Sequence, residues 1–182
     1  MRVIAGTARG KNLQALPGEE ITRPTINRVK EAMFSSVQFL VPGARVLDLF
    51  AGSGQLGIEA LSRGAKSCIF VDQSPEALAM VTANCKAARV DRLSDIRHGE
   101  ALRFLANIRG PFDLVLLDPP FRSGLLLQVL PALQDKLAPG GVILAESERE
   151  AELPEQVGTL VRTKQYFYGR IMVSRYEREG QV

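Results

Sequence analysis

The sequence predicts an α/β protein with a mostly parallel sheet that is covered by helices on both faces. In the middle of the chain, short apolar runs typical of buried strands alternate with longer amphipathic segments typical of helices. The last two strand-like runs, 159–167 and 170–177, flank a Tyr168-Gly169 turn and indicate an antiparallel hairpin. We therefore expect seven strands, with the final hairpin making the sheet mixed.

The other elements follow from the same patterns. The first helix, predicted over 24–40, carries Val29, Met33 and Val37 at four-residue steps and ends before Pro42-Gly43. The other predicted strands are 45–50, 67–72, 93–98, 112–117 and 141–146. The other predicted helices are 54–63, 75–88, 100–108 and 123–137.

Length and composition limit the class of protein. The 182 residues predict one domain, 1–182, with residues 1–20 as an N-terminal extension and 24–178 as the core. The net charge of +3 permits an anionic partner without requiring one. Cys68 and Cys85 are predicted to be reduced and packed, and no group of residues has the spacing of a zinc site. Because the chain has no apolar run long enough for a membrane span and no signal-peptide core, we expect a cytoplasmic protein.

The N-terminal extension is predicted to be a small basic β-hairpin. Arg2, Arg9 and Lys11 occur among small and β-branched residues, and no acidic residue lies between them. The extension is therefore a candidate contact for nucleic acid, although a solvated arm without a partner fits the sequence equally well. Arg28 and Lys30 in the following helix are further candidates for phosphate contact.

A glycine-rich turn follows the first core strand. Gly52, Gly54 and Gly57 have the spacing G-x-G-x-x-G, which lets a backbone approach a ligand at the start of a helix. Asp72, twenty residues after Gly52, makes the pattern formally compatible with a dinucleotide fold. Asp48, however, lies four residues before Gly52, where its charge would crowd a diphosphate. A cofactor with a cationic centre, an amino group and no phosphate suits Asp48 better, and S-adenosylmethionine has that chemistry.

Four predicted strands end at or near a carboxylate, namely Asp48, Asp72, Asp118 and Glu146. In an open parallel sheet, ligands bind beyond the carboxyl ends of the strands. Any one of these acids could serve only to cap the next helix. Four at equivalent positions indicate a ligand that carries hydroxyls, amines or positive charge.

The tetrapeptide Asp118-Pro119-Pro120-Phe121 follows the fourth core strand. Its two prolines favour a rigid loop that does not continue at once into a helix. The Asp118 carboxylate and the Pro119 carbonyl are both acceptors that could hold a planar amine and point its nitrogen at a methyl donor. Phe121 could stack on the base that carries the amine. The alternative is a stiff turn with a packed Phe.

Two motifs together resemble the class I S-adenosylmethionine-dependent amino-methyltransferases. They are Asp48-Leu-Phe-Ala-Gly-Ser-Gly and Asp118-Pro-Pro-Phe. The segments Arg2-Val-Ile-Ala-Gly and Arg23-Pro-Thr, with Arg28-Val-Lys-Glu-Ala-Met-Phe, are similar to the RsmD family, the bacterial 16S ribosomal RNA guanine-N2 methyltransferases. The resemblance implies a Rossmann-like fold, S-adenosyl-L-methionine as cofactor, and a monomer without metal or membrane contact. Its partner would be ribosomal RNA within an assembling small ribosomal subunit.

The resemblance also implies roles for individual residues. Phe121 stands where Tyr is common in the family, and Glu100 stands where Asp or Asn is common. The implied cofactor-binding residues are Asp48, Ala51, Gly52, Gly54, Asp72, Gln73 and Glu100. The implied catalytic residues are Asp118, Pro119 and Phe121. The candidate RNA-binding residues are Arg2, Arg9, Lys11, Arg23 and Arg28.

The predicted reaction is methyl transfer to the exocyclic N2 amine of an unstacked guanine in 16S ribosomal RNA. The same motifs would serve a methyltransferase that acts on DNA or on another amine. A nicotinamide-dependent oxidoreductase, or a binding protein that has lost catalysis, remains an alternative from a different class. His98, the only histidine, is predicted to be structural.

Overall fold

The computed structural model describes residues 1–16 and 23–180, with the side chains of 23–26 left out. The strands are β1 (Arg45–Asp48), β2 (Ser67–Asp72), β3 (Ser94–His98), β4 (Phe112–Leu117), β5 (Leu137–Glu148), β6 (Gln156–Val157), β7 (Leu160–Tyr168) and β8 (Ile171–Arg178). The helices are α1 (Arg23–Ser36), α2 (Gln55–Ser62), α3 (Pro75–Ala88), α4 (Ala101–Asn107) and α5 (Leu125–Leu133).

All eight strands belong to one mixed sheet in the order β3-β2-β1-β4-β5-β8-β7-β6. The five strands from β3 to β5 are parallel, whereas β8, β7 and β6 pair antiparallel. The predicted fold class is therefore confirmed. The sheet has eight strands rather than seven because Gln156 and Val157 pair with the start of β7, and two residues are too few to show alternation.

Several element boundaries differ from the prediction. Helix α1 ends at Ser36, but Val37 and Val41 beyond it are buried in the core, so the apolar stripe outlasts the helix. Helix α5 is shorter than the predicted 123–137 at both ends, since it starts after Gly124, whose φ is +70°, and ends at Leu133. Strand β5 extends at both ends beyond the predicted 141–146 because it pairs with β4 on one side and with β8 on the other.

Two apolar cores cover the two faces of the sheet. Val46, Leu114 and Leu144 project into the core that includes α1, α2 and α3 residues. Leu47 and Val115, next to them in sequence, project into the core that includes α4 and α5 residues. This alternation follows from the two-residue period of a strand, and burial on both faces explains why the central strands are almost wholly apolar.

The N-terminal extension folds back on itself and is held against α2. Arg2 and Asn12 form a single antiparallel bridge, a smaller pairing than the predicted hairpin implies. The backbone N–H groups of Ile4 and Ala5 donate to the Glu59 carboxylate at 2.9 and 3.0 Å. Because Glu59 is fully buried in α2, the extension has a fixed position on that helix.

The prediction that Lys30 contacts phosphate is wrong. Lys30 is only 1% exposed, and its Nζ donates to the Arg2 carbonyl at 2.7 Å. The same ammonium lies 3.5 Å from Glu59 Oε2. Burial lowers the pKa of Lys30, and the Glu59 charge opposes that effect. Lys30 therefore stabilises the attachment of the N-terminal extension to the core.

Cys68 and Cys85 are free and buried, as predicted. Within residues 1–16 and 23–180, no helix has the length and apolar character that crossing a membrane requires.

Candidate functional site

A cavity of about 690 Å³ opens at the carboxyl ends of β1, β2 and β4, the edge where ligands bind in parallel sheets. Of the ten residues predicted for cofactor binding or catalysis, nine line this cavity and Gly54 does not. The nine are Asp48, Ala51, Gly52, Asp72, Gln73, Glu100, Asp118, Pro119 and Phe121.

The four strand-end carboxylates lie on one face of the sheet. In the register, Leu116 of β4 pairs with Asp48 of β1 and with Leu144 of β5. Asp118 and Glu146 lie two residues after Leu116 and Leu144, so each points to the same face as its predecessor. The register therefore puts them level on neighbouring strands.

Only three of these acids, Asp48, Asp72 and Asp118, line the cavity described above. Glu146 lines a second, adjoining cavity instead. The expected gathering of all four acids around the glycine turn is therefore only partly correct.

Asp48 is a buried acid with one unpaired oxygen. Its Oδ2 accepts a hydrogen bond from the Gly57 backbone N–H at 2.9 Å, while Oδ1 has no partner among the described residues. Burial raises the pKa of Asp48 to about 7; the Gly57 bond opposes this rise, and the charges of Asp118 and Asp72 add to it. A ligand that brings positive charge or an N–H donor to this oxygen would stabilise the ionised form.

The glycines of the turn have different structural roles. Gly54 precedes α2 with φ of +80°, and a Cβ there would lie 3.2 Å from the Val81 side chain. A Cβ at Gly57 would lie 2.3 Å from the Phe70 ring. Gly57 therefore lets α2 pack closely against β2, and Gly54 forms the turn without lining the cavity.

Asp72 and Glu100 fix the loops around the cavity. Asp72 accepts hydrogen bonds from the backbone N–H groups of Gly52 and Ser74, each at 2.9 Å. Glu100 caps the start of α4 by accepting from the N–H groups of Leu102 and Arg103, each at 3.0 Å. A carboxylate oxygen can accept more than one hydrogen bond, so both acids keep the capacity to bind hydroxyl or amine groups.

The proline loop forms the remaining wall of the cavity. Pro119 is buried, whereas Phe121 is 46% exposed. This exposure contradicts the alternative of a stiff turn with a packed Phe. It leaves the ring of Phe121 accessible at the rim, where a planar group could stack on it.

Comparison with known proteins agrees with this geometry. Residues 1–177 match the family model described as Conserved hypothetical protein 95. The chain belongs to this family. It is 42% identical over 185 residues to the Bacillus subtilis protein named "Putative rRNA methyltransferase YlbH", covering 99% of this chain and 100% of that one.

A curated Escherichia coli relative and a solved Escherichia coli structure both match the whole of this chain. The identity to "Ribosomal RNA small subunit methyltransferase D" is 33% over 183 residues, covering 100% of this chain and 91% of that one. The solved structure named "Putative methyltransferase yhhF" superposes with a TM-score of 0.87 at 33% identity, covering 100% of this chain and 99% of that one. The resemblance to the RsmD family that the motifs indicate is thus confirmed.

The structure adds Gln55 to the cavity residues that the sequence predicts. Gln55 lines the cavity as the first residue of α2, and its Oε1 is buried without a hydrogen-bond partner among the described residues. The sequence feature that could have identified Gln55 is its position as a polar residue directly after the glycine turn. Phe50 and Leu125 also line the cavity, but apolar residues at these positions are indistinguishable from core residues in the sequence.

Four of the five predicted RNA-binding residues have described side chains, and none of these four lines the cavity. Arg2, Arg9, Lys11 and Arg28 are exposed, so their contact with RNA stays a prediction. The side chain of Arg23, at the first position of α1, lies outside the described part of the chain. His98 is exposed on β3, with its Nε2 at 3.1 Å from the Gln73 carbonyl oxygen, a contact consistent with a structural role.

Proposed function

We propose that this protein transfers a methyl group from S-adenosylmethionine to the exocyclic N2 amine of a guanine in 16S ribosomal RNA. The observation that carries the proposal is one cavity lined both by Asp48, with its unpaired oxygen, and by the Asp118-Pro119 acceptors. Its relatives named Ribosomal RNA small subunit methyltransferase D support the same reaction.

The charges of the cavity favour S-adenosylmethionine over a cofactor with phosphate. Its described lining includes Asp48, Asp72, Glu100 and Asp118 but no Lys or Arg. A diphosphate would be repelled by these acids, whereas a cationic ligand with hydroxyl and amine groups would be attracted. These charges disfavour the nicotinamide-dependent alternative.

Three of these acids would have distinct tasks in holding this cofactor. S-adenosylmethionine supplies a methyl group on a positively charged sulfur. Asp48 would bind the cationic amino acid part through its unpaired Oδ1, beside Ala51 and the Gly52 backbone. Asp72 would bind the ribose hydroxyls, and Gln73 and Glu100 would lie beside the adenine.

The proline loop would orient the amine that receives the methyl group. The Asp118 carboxylate and the Pro119 carbonyl would each accept one N2–H hydrogen bond, which fixes the amine plane and raises its nucleophilicity. Asp118 would also accept the proton that the nitrogen loses on gaining a methyl group, so that the product amine is neutral. Phe121 would stack on the guanine ring.

The substrate must expose its base. A guanine stacked in a duplex cannot reach a cavity at the sheet edge, so the target is expected in a loop or single strand. We include in the proposal that the protein acts in the cytoplasm, as a monomer, on an assembling small ribosomal subunit. Arg2, Arg9, Lys11 and Arg28 would contact its phosphates.

The experiment that tests this function offers three substrates with labelled S-adenosylmethionine. Free 16S ribosomal RNA, small-subunit particles and naked DNA are each incubated with the enzyme, and the modified nucleosides are separated. The expected product is N2-methylguanosine from one of the two ribosomal substrates. Label only in DNA, or in a nucleoside other than guanosine, would contradict the proposal. Calorimetry with S-adenosylhomocysteine and with NAD tests the cofactor independently of the substrate.

A further inference from the structure

A second cavity of about 250 Å³ adjoins the cavity of about 690 Å³ described above, which we call the cofactor-sized cavity. Pro119, Pro120, Phe121 and Leu125 line both cavities, so the proline loop is a wall that the two share. The smaller volume lies just below the range usual for sites that hold whole cofactors, and it suits a fragment such as a single base.

Glu146 and Asp118 are neighbouring acids, and each lines one of the two cavities. The pairing of Leu117 with Ala145 puts Asp118, the residue directly after β4, beside Glu146 in the neighbouring parallel strand β5. Asp118 lines the larger cavity and Glu146 lines the smaller one. A group held between them would therefore face the amine-binding acceptors and Glu146 together.

We propose that the smaller cavity binds the flipped guanine and that Glu146, as an uncharged acid, recognises its N1–H and O6. This inference rests on the function proposed above and assigns a specificity-determining residue to it. A neutral carboxyl group presents one acceptor and one donor. Guanine presents the complementary pair, because N1–H donates and O6 accepts. The two N2–H groups would donate hydrogen bonds to Asp118 and to the Pro119 carbonyl. Every polar group on the edge of guanine that carries O6, N1 and N2 would then have a hydrogen-bond partner.

The surroundings of Glu146 support its uncharged form. Burial raises the pKa of Glu146 well above its usual range, and the negative charge of Asp118 raises it further. Glu148 and Glu152 line the same cavity, and Arg122, the one cationic residue in its described lining, is exposed to solvent. An acidic cavity of this kind disfavours phosphate and suits the N–H-bearing edge of a base.

The proposal also accounts for selectivity against the other bases. Adenine has no 2-amino group for the Asp118 and Pro119 acceptors, and its N1 accepts rather than donates. When the wrong base binds, the polar groups of the site lose their hydrogen-bond partners. The free-energy cost of these unpaired groups gives strong selectivity against that base. Guanine alone would satisfy both the proline loop and Glu146.

The test compares two substitutions that differ in hydrogen bonding. Glu146→Gln keeps one acceptor and one donor in nearly the same shape, whereas Glu146→Leu removes both. We expect kcat/KM for methyl transfer to fall by less than about threefold in the Gln variant and by about 100-fold in the Leu variant. Affinity for S-adenosylhomocysteine should stay within about twofold in both, because Glu146 does not line the cofactor-sized cavity. Glu150→Leu, an exposed position outside both cavities, is the matched control.

Each other outcome has a defined meaning. A Gln variant as impaired as the Leu variant would show that the carboxylate charge is needed and would overturn the proposal. Full activity in the Leu variant, or loss of S-adenosylhomocysteine binding by folded protein, would overturn it as well. If the Leu variant fails to fold, Glu146→Met replaces it, since Met adapts to irregular space. Absence of transfer by the unsubstituted enzyme would instead refute the underlying function.

Discussion

Asp48 Oδ2 accepts a hydrogen bond from the Gly57 backbone N–H at 2.9 Å, and this bond ties the end of β1 to the first turn of α2. The bond uses one carboxylate oxygen and leaves the other without a partner among the described residues. Asp48 therefore both positions the glycine turn and keeps an acceptor available at the cavity. Its burial is destabilising once the acid ionises, because the described residues supply no cation to pair with it, and this effect on stability can be measured.

Replacement of Asp48 by Asn should change how stability depends on pH. The pKa of Asp48 is raised from 3.8 to about 7 by burial, so the folded protein binds one more proton than the unfolded chain between these values. Binding of this proton stabilises the folded protein fully below about pH 4. This stabilisation decreases as the pH rises and is lost once the pH passes about 7. Between pH 5.5 and 7.5 the unfolding free energy of the wild type should fall by about 2 kcal/mol relative to Asp48→Asn. Urea denaturation at several pH values measures the difference.

The control for this prediction is Asp135→Asn, because the Asp135 side chain is 80% exposed. Its pH profile should run parallel to that of the wild type. Parallel profiles for Asp48→Asn and the wild type would contradict a raised pKa at Asp48.

Asp118→Ala should separate cofactor binding from transfer. In the proposed mechanism the substitution removes one acceptor for the N2 amine and the group that takes its proton, so kcat should fall by about 1,000-fold or more. Binding of S-adenosylhomocysteine, measured by calorimetry, should be nearly unchanged because the Asp48 and Asp72 contacts stay. Residual turnover within tenfold of the wild type would argue against the role of Asp118.

The double substitution Arg9→Ala and Lys11→Ala should weaken RNA binding in a salt-dependent way. Both side chains are exposed on the N-terminal extension, whose backbone is held elsewhere by Glu59, so the fold should be retained. Loss of two phosphate contacts should reduce the slope of log K against log salt by about 1.5. Filter binding at several salt concentrations measures this slope.

The matched control for this pair is Lys86→Ala with Arg92→Ala. These exposed residues precede β3 at the opposite edge of the sheet from the cavity. An equal reduction of the slope in both double variants would contradict a specific contact by the extension. So would a loss of cofactor affinity in the Arg9 and Lys11 variant.

Lys30→Met should destabilise the protein although Met fills similar space. The substitution leaves the buried Glu59 carboxylate without its ammonium partner and the Arg2 carbonyl without its donor. Breaking a buried pair by removing one partner typically costs 3–5 kcal/mol, and Arg63 at 2.8 Å from Glu59 should reduce this to about 3 kcal/mol. Chemical denaturation measures the change, with the exposed Lys66→Met as control. A change no larger than that of the control would contradict a stabilising role.

The arrangement of the site was largely predictable because it depends on local patterns. Apolar runs fix where strands end, and a parallel sheet brings those ends to one edge, which is why Asp48, Asp72 and Asp118 were predicted to meet. Glu146 obeys the same rule, yet it faces a different cavity. The path of the loop from Pro119 to Leu125 decides this, and no sequence pattern specifies that path.

Lys30 shows why long-range contacts escape such patterns. Helical periodicity puts Lys30 beside the apolar stripe of Val29, Met33 and Val37 and predicts exposure. The N-terminal extension covers that position through a contact between residues 28 apart in sequence. Burial there depends on where the extension packs, which the composition of α1 does not determine.

Helix α2 holds two parts of the molecule at a fixed spacing, namely Asp48 through Gly57 and the N-terminal extension through Glu59. Gly57 in α2 donates to Asp48, which is proposed to bind the cofactor, and Glu59, two residues later, holds the N-terminal extension proposed to contact RNA. At about 1.5 Å per residue, the two anchor points are separated by only about 3 Å along the helix axis. A single residue inserted between them would rotate one anchor by about 100° relative to the other. In the proposed function, this spacing within one helical turn would relate the RNA-binding extension to the methyl donor.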